Sequence, residues 1–217
     1  PFFLLLGRLF SLLAFGQTDK VALMVNGMSA LMSALTVLFL FWTITAFARK
    51  LITKETSGSV QQWLVLACGN VGALAYTFSD SFWFSAVEGE VYATSSFFTA
   101  VAFWCILKWE QVADHPSADR WIILISYLIG LSIGVHLLNL LAIPAIAFVI
   151  YFRKYRFSWR GLLVTFFVAV GVLGLVQNLI IPGIVKLATA FELFFVNRLD
   201  FPFNAGIIVY SALLLGG

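Results

Sequence analysis

The residues that could do chemistry fall mainly in two short blocks. The first, Phe82-Trp-Phe-Ser-Ala-Val-Glu-Gly-Glu-Val-Tyr92, carries Glu88, Glu90 and Tyr92, with Asp80 just ahead of it and no basic residue between Phe78 and Tyr92. The second, Gly134-Val-His-Leu-Leu-Asn139, carries His136 and Asn139, which are three apart and share a face if helical. A carboxylate takes up a proton in general-base chemistry, and an imidazole exchanges one near neutral pH. On a helix Glu88 and Tyr92 share a face and Glu90 points elsewhere; in an extended segment all three project to one side. The plainer reading is a wet loop, but these acids sit among Phe82, Trp83, Phe84, Val87 and Val91 rather than at a freely solvated tip. For His136 the plainer reading is a buried ring bonded to a backbone carbonyl, and for Asp80 a helix cap. Arg8 and Arg198, with Lys20 and Lys186, are of the type that holds phosphate, or anchors a helix at an interface by snorkelling. Glu88, Glu90 and His136 are also metal-ligand types, but their spacing is not diagnostic of a divalent metal site.

The elements that must position these groups follow from composition. The chain has 217 residues, 62% hydrophobic and only 11% charged, with a mean hydropathy of +1.01. A water-soluble domain needs roughly 25% charged residues, so most of this surface faces something other than water. Inside hydrocarbon the backbone must pair internally, which leaves helices or closed barrels. Runs such as Val21–Ala48 are continuously apolar and too long for barrel strands of about ten residues. The fold class is all-α, a polytopic helical membrane protein. Expected elements are an interfacial helix over 1–15 and spans over 21–48, 62–78, 92–109, 121–134, 137–152, 158–181 and 204–217. They form a single transmembrane domain over 1–217. Its partner is the lipid bilayer. The net charge of +3 and pI near 9.0 do not imply nucleic acid, because the basic residues sit in short clusters between apolar runs. Cys68 and Cys105 each fall inside a span and read as small apolar residues. The seven Trp and six Tyr fit aromatic belts at both interfaces.

Those basic clusters set the orientation. Arg49, Lys50, Lys54, Lys108, Arg120, Arg153, Lys154, Arg156 and Arg160 go to the cytoplasmic side by the positive-inside rule. Asp19, Asp80, Glu88, Glu90, Glu192 and Asp200 fall on the opposite side. As one straight helix, Trp121–Phe152 would run about 48 Å and would separate Arg120 from Arg153, which both belong in the cytoplasm. The stretch should therefore go out and return as two short helices of about 22 Å each, broken near Gly134-Val135-His136, with Pro144 kinking the second. Helices that short are tolerable where their tips are buried in protein or line a wet cavity. The break and the acidic block then meet at one membrane surface. The chain begins at Pro1 and ends within the apolar run Ala212–Gly217, so a piece of a longer protein is expected.

Beyond these physical readings, four blocks resemble one family: Leu-Leu-Gly-Arg-Leu-Phe-Ser-Leu-Leu around Arg8, Val21-Ala-Leu-Met-Val-Asn26, the Phe82–Tyr92 block, and Gly130-Leu-Ser-Ile-Gly-Val-His-Leu-Leu-Asn-Leu-Leu-Ala-Ile-Pro144. They are similar to the protein O-mannosyltransferase-like family of multi-pass proteins, which includes transmembrane protein 260 and bacterial relatives. The likeness covers most of 1–152, and past about residue 160 only hydropathy remains. It implies a GT-C-like glycosyltransferase that takes a sugar, mannose or similar, from a polyprenyl-phosphate donor. The acceptor would be a protein hydroxyl on the extracytoplasmic face of a bacterial inner membrane. It further implies that the main catalytic acid lies ahead of Pro1 and that a soluble C-terminal region follows. On that basis Glu88, Glu90 and His136 support catalysis. Tyr92, Asn139, Arg8, Arg198 and Asp80 bind substrate, with Arg8 or Arg198 pairing with phosphate. No cofactor is firmly implied beyond the lipid-linked donor, and a larger membrane complex is compatible. The rival readings are a secondary transporter, which should show related interruptions in two halves near mid-span, and a non-catalytic subunit whose polar groups are satisfied by a partner.

Overall fold

A computed structural model of the protein describes residues 2–52 and 58–216; Lys54 of the basic cluster lies outside the described residues. The described residues are helical throughout, with no strand among them. They form two units, Pro1–Phe157 and Ser158–Gly217. Among the described residues, four helical stretches are long and apolar enough to cross a membrane: Thr18–Leu51, Val91–Val112, Leu137–Lys154 and Trp159–Leu199. The chain is an all-α polytopic membrane protein.

The first unit is built around helix α5, Val91–Val112. On one side it meets α2, Val21–Leu51, a 31-residue apolar run that ends with Arg49 and Lys50 in its last turn. Cations there complement the exposed carbonyls of a helix C-terminus. On its other side α5 meets α6, Asp119–Ile133, and α7, Ala142–Lys154. Cys105, Ile106 and Trp109 pack there against Ala118, Ile125, Ala142 and Ile146. The burial pattern of α2 is the reverse of a soluble helix. Its inward face holds small and hydroxylated residues, Ser29, Ser33 and Thr36, while Leu23, Leu31 and Phe47 are exposed. That inversion is expected where the solvent is hydrocarbon and close packing, not apolar burial, holds helices together.

Helix α3, Gly58–Thr77, lies on α2. Gly69 and Gly72 make the approach feasible: a Cβ on Gly69 would stand 2.6 Å from Thr45 Cγ2, and one on Gly72 would stand 2.5 Å from Ile44 Cδ1. Cys68, read from sequence like Cys105 as a small apolar residue within a span, is exposed beside this seam, whereas Cys105 is buried. The short helix α1, Phe2–Leu12, also packs on α2. Its first amides, Phe2 N–H and Phe3 N–H, donate to Gly134 O at 3.1 and 3.3 Å.

That carbonyl sits at the break expected in 121–152. Helix α6 ends at Ile133, a 3-10 turn covers Leu137–Leu141, and α7 starts at Ala142. A Cβ on Gly134 would come within 2.7 Å of Phe2 Cβ, so the close docking of α1 requires glycine there. Pro144 does not kink the returning helix. It falls in the first turn of α7, where backbone amides lack an intrahelical acceptor and a missing N–H costs nothing.

In the second unit, α8, Trp159–Leu175, passes through a π-turn, Val176–Ile180, directly into α9, Ile181–Leu199. The rod thus continues past the 158–181 stretch. Pro182 cannot donate and its ring crowds the preceding turn, and the wider π-turn just ahead of it accommodates the defect. Helix α10, Ala205–Gly216, folds back on α9. The Glu192 carboxylate accepts from Asn204 N–H and Ile207 N–H at the start of α10. Tyr210 OH donates to Ile184 O at 3.1 Å.

Candidate functional site

The ends of the first unit differ sharply in charge. At one end the last turns of α2, α5 and α7 come together: Lys50 pairs with Glu110, and Arg153 pairs with Asp114 and donates to Glu110 O. At the other end lie the break in 134–136, the N-terminus of α1 and the connection between α4, Asp80–Val87, and α5. The first is the end that the basic clusters are expected to place in the cytoplasm. The second gathers the candidate chemistry.

The connection between α4 and α5 is the three-residue turn Glu88-Gly89-Glu90, closed by Glu90 N–H donating to Glu88 O at 2.8 Å. Glu88 and Glu90 are both extended, at φ −100°, ψ 139° and φ −114°, ψ 169°. The segment therefore combines the two geometries left open by the sequence: extended at the glutamates, helical from Val91 through Tyr92. Gly89 presses against the start of α2, where an added Cβ would stand 2.9 Å from Val25 Cγ1 and 3.0 Å from Asn26 Oδ1. Glycine at this point pins the turn to α2 and leaves both flanking carboxylates exposed. Neither carboxylate has a hydrogen-bond or ion-pair partner among the described residues, so both are free for a ligand.

Two residues on, Tyr92 meets the broken helix. Its ring centroid lies 5.8 Å from that of His136, with the planes inclined at 42°. Among the described residues the His136 ring has no carbonyl partner. Its Nδ1 accepts Leu138 N–H at 3.1 Å and so caps the 3-10 turn. A neutral ring accepting at Nδ1 carries its proton on Nε2, which makes His136 a donor at its far edge. One turn further, Asn139 is buried, and its Oδ1 accepts from Ser95 Oγ at 2.7 Å and Thr99 Oγ1 at 3.0 Å. Tyr92, Ser95 and Thr99 recur at three- and four-residue intervals, one face of α5. This face is held against the break, so His136 and Asn139 are fixed by the same helix that carries Tyr92.

Beneath this rim is a cavity of about 400 Å³ lined by hydroxyls from α2 and α5, by Tyr76 of α3 and by Asn139. Ligand pockets fall within about 300–1,000 Å³. The lining hydroxyls are Thr36, Thr43, Ser95, Ser96 and Thr99, over a floor of Leu40 and Phe103. The Asn139 Nδ2 group is buried without a partner, as are the Ser29, Ser33 and Thr94 hydroxyls. A buried amide donor left unpaired costs about 1–3 kcal/mol, and Asn139 is also one of the residues that line the cavity. These hydroxyls escaped the sequence reading, which was looking for charge. The signal was the spacing of Ser29, Ser33 and Thr36, and of Ser95 and Thr99, each one helical face inside an apolar run.

Asp80, Arg8 and Arg198 lie on other elements. Asp80 is exposed in the first turn of α4, with Ser79 rather than Asp80 in the N-cap position. Arg8 is exposed on α1, with its carbonyl accepting from Ser11 Oγ at 2.7 Å. Arg198 belongs to the second unit, exposed in the last turn of α9. Among the described residues no group of three or more His, Cys, Asp or Glu is placed to hold a metal ion.

Residues 1–159 match the family model described as protein O-mannosyl-transferase TMEM260 N-terminal domain. The match ends within two residues of the boundary of the first unit at Phe157. No curated protein and no solved structure matches the chain.

Proposed function

The chain belongs to the protein O-mannosyl-transferase TMEM260 family, and from that premise we propose that it is a membrane glycosyltransferase of GT-C type acting at the extracytoplasmic face. Its donor is a sugar, mannose or a close relative, carried on polyprenyl phosphate, and its acceptor is a protein hydroxyl. The observation that carries this reading is the rim itself. Two exposed carboxylates without partners among the described residues flank the turn into α5, whose first turns carry Tyr92 of the Tyr92–His136 ring pair, the hydroxyls bonded to buried Asn139 and part of the lining of a cavity.

The reaction asks for few things. The acceptor oxygen bonds to the anomeric carbon, the bond from that carbon to the carrier phosphate breaks, and the acceptor proton goes to a carboxylate. The departing phosphate gains negative charge and is stabilised by donors placed where that charge develops. Glu88 and Glu90 bind sugar or acceptor hydroxyls and assist the residue that takes the proton. His136, with Nε2–H outward, and Asn139, with Nδ2–H unpaired, are the donors for sugar or phosphate oxygens. Tyr92 offers its ring face to the sugar. Arg8, exposed on α1, can draw a carrier phosphate toward the rim. The apolar floor of Leu40 and Phe103 suits the first part of a prenyl chain.

The donor class is tested directly. Membranes holding the protein are supplied with polyprenyl-phosphate mannose or with nucleotide-linked mannose, and an acceptor peptide containing serine and threonine is assayed for mannose. Transfer from the lipid-linked donor alone is expected. Transfer from the nucleotide-linked donor, in membranes that lack the lipid-linked one, would overturn the proposed donor.

A further inference from the structure

At the opposite end of the first unit is a second cavity, of about 500 Å³, that the glycosyl-transfer reading does not use. It opens between the last turns of α2 and α5. Its polar part is formed by Arg49, Lys50, Lys108 and Gln111, and its apolar wall by Trp42 and Trp104. Among the described residues no acidic one lines it. Lys50 is committed to Glu110. Arg49 has no carboxylate partner among the described residues, and Lys108 sits over the Trp104 ring at 5.3 Å. The two tryptophans lie 5.6 Å apart and Trp104 is braced by Phe39 and Trp121, so the wall is rigid. Among the described residues the cavity thus has two cations without carboxylate partners, beside aromatic surface from Trp42 and Trp104.

We infer that this cleft binds the phosphate headgroup of an anionic phospholipid of the cytoplasmic leaflet, with Arg49 and Lys108 on the phosphate and Gln111 beside it. Cations at helix C-termini and Trp at an interface have ordinary reasons to be there. What those reasons leave unexplained is a cavity that places both cations around one space, with no acid among its described lining residues. Basic pockets between helices on the cytoplasmic side recognise anionic lipid heads in this manner. A lipid, unlike a free anion, also uses the aromatic wall, with its first methylenes along Trp42 and Leu107. The arrangement needs no sugar donor or acceptor, so its test is independent of the transferase reading.

The test uses the protein in nanodiscs made of phosphatidylcholine, titrated with bromine-labelled phosphatidylglycerol and read by quenching of tryptophan fluorescence. Saturable quenching is expected, weakened on the order of tenfold or more in the Arg49→Gln/Lys108→Gln double variant, since each cation near the surface contributes appreciably to lipid attraction. Arg156→Gln, on the same side but outside the lining, should leave it unchanged. Ala46→Phe, which fills the cleft without altering charge, should weaken it as well and separates a formed site from general surface charge. Equal quenching in wild type and double variant would overturn the proposal, as would equal loss on Arg156→Gln. Competition by inorganic phosphate at concentrations similar to the lipid would also overturn it, because a small anion gains nothing from the aromatic wall.

Discussion

Asn139 uses its carbonyl oxygen to hold Ser95 and Thr99 and so ties the broken segment to α5. Truncation to alanine removes the acceptor for two hydroxyls in a place water reaches poorly. Asn139→Ala is therefore expected to destabilise the protein by about 1–3 kcal/mol, read as a lowered unfolding temperature in detergent; an unchanged temperature would mean that both hydroxyls find other partners. Of the side chains singled out from sequence, Tyr92, His136 and Asn139 do converge, because the three-residue spacing of His136 and Asn139 survives as a short 3-10 turn. What the sequence could not supply was that His136 caps this turn through Nδ1. That depends on Gly134 and Val135 leaving the helix in a particular way, which residue types alone do not encode.

Helix α5 works as the central post: one face meets α2, another meets α6 and α7, and its first turns present Tyr92, Ser95 and Thr99. Helix α3 reaches the cavity through Tyr76 only because Gly69 and Gly72 let it lie close on α2. Gly69→Leu should push α3 away, lowering the unfolding temperature, whereas Gly171→Leu in α8, where nothing lies within 4 Å, should be neutral. Equal effects of the two would contradict this packing. The long apolar helices and the break in 121–152 were legible in the sequence, because hydropathy and the basic clusters left no other path. The short helix α4 was not, since its eight residues, Asp80–Val87, carry no apolar periodicity of their own and are held by packing Phe82 on Tyr76. Nor was the continuation through Pro182, since proline ordinarily ends a helix and the π-turn that rescues it has no composition signal.

Across the whole first unit, charge separates by end. The basic last turns of α2 and α7 are joined by ion pairs to Glu110 and Asp114 at the end of α5, and the acidic turn and the break lie at the other end. This arrangement predicts sidedness. In a Cys68→Ser background, a membrane-impermeant maleimide added from the extracytoplasmic side should label Ser81→Cys and leave His115→Cys unlabelled; both positions are exposed in the protein. The opposite pattern would invert the orientation and place the candidate rim in the cytoplasm. The central claim is narrower than the topology: the carboxylates and the imidazole at this rim take part in moving a sugar. Its most direct measurement is mannose transfer from polyprenyl-phosphate mannose to an acceptor peptide by the wild-type protein and by Glu88→Gln, Glu90→Gln and His136→Ala at matched expression and unfolding temperature. Loss of a charge-assisted hydrogen bond predicts rates lower by on the order of 10- to 100-fold for each glutamate variant, with a marked loss for His136→Ala. Undiminished transfer in all three would contradict the account and leave the rim a structural feature of a protein whose chemistry happens elsewhere.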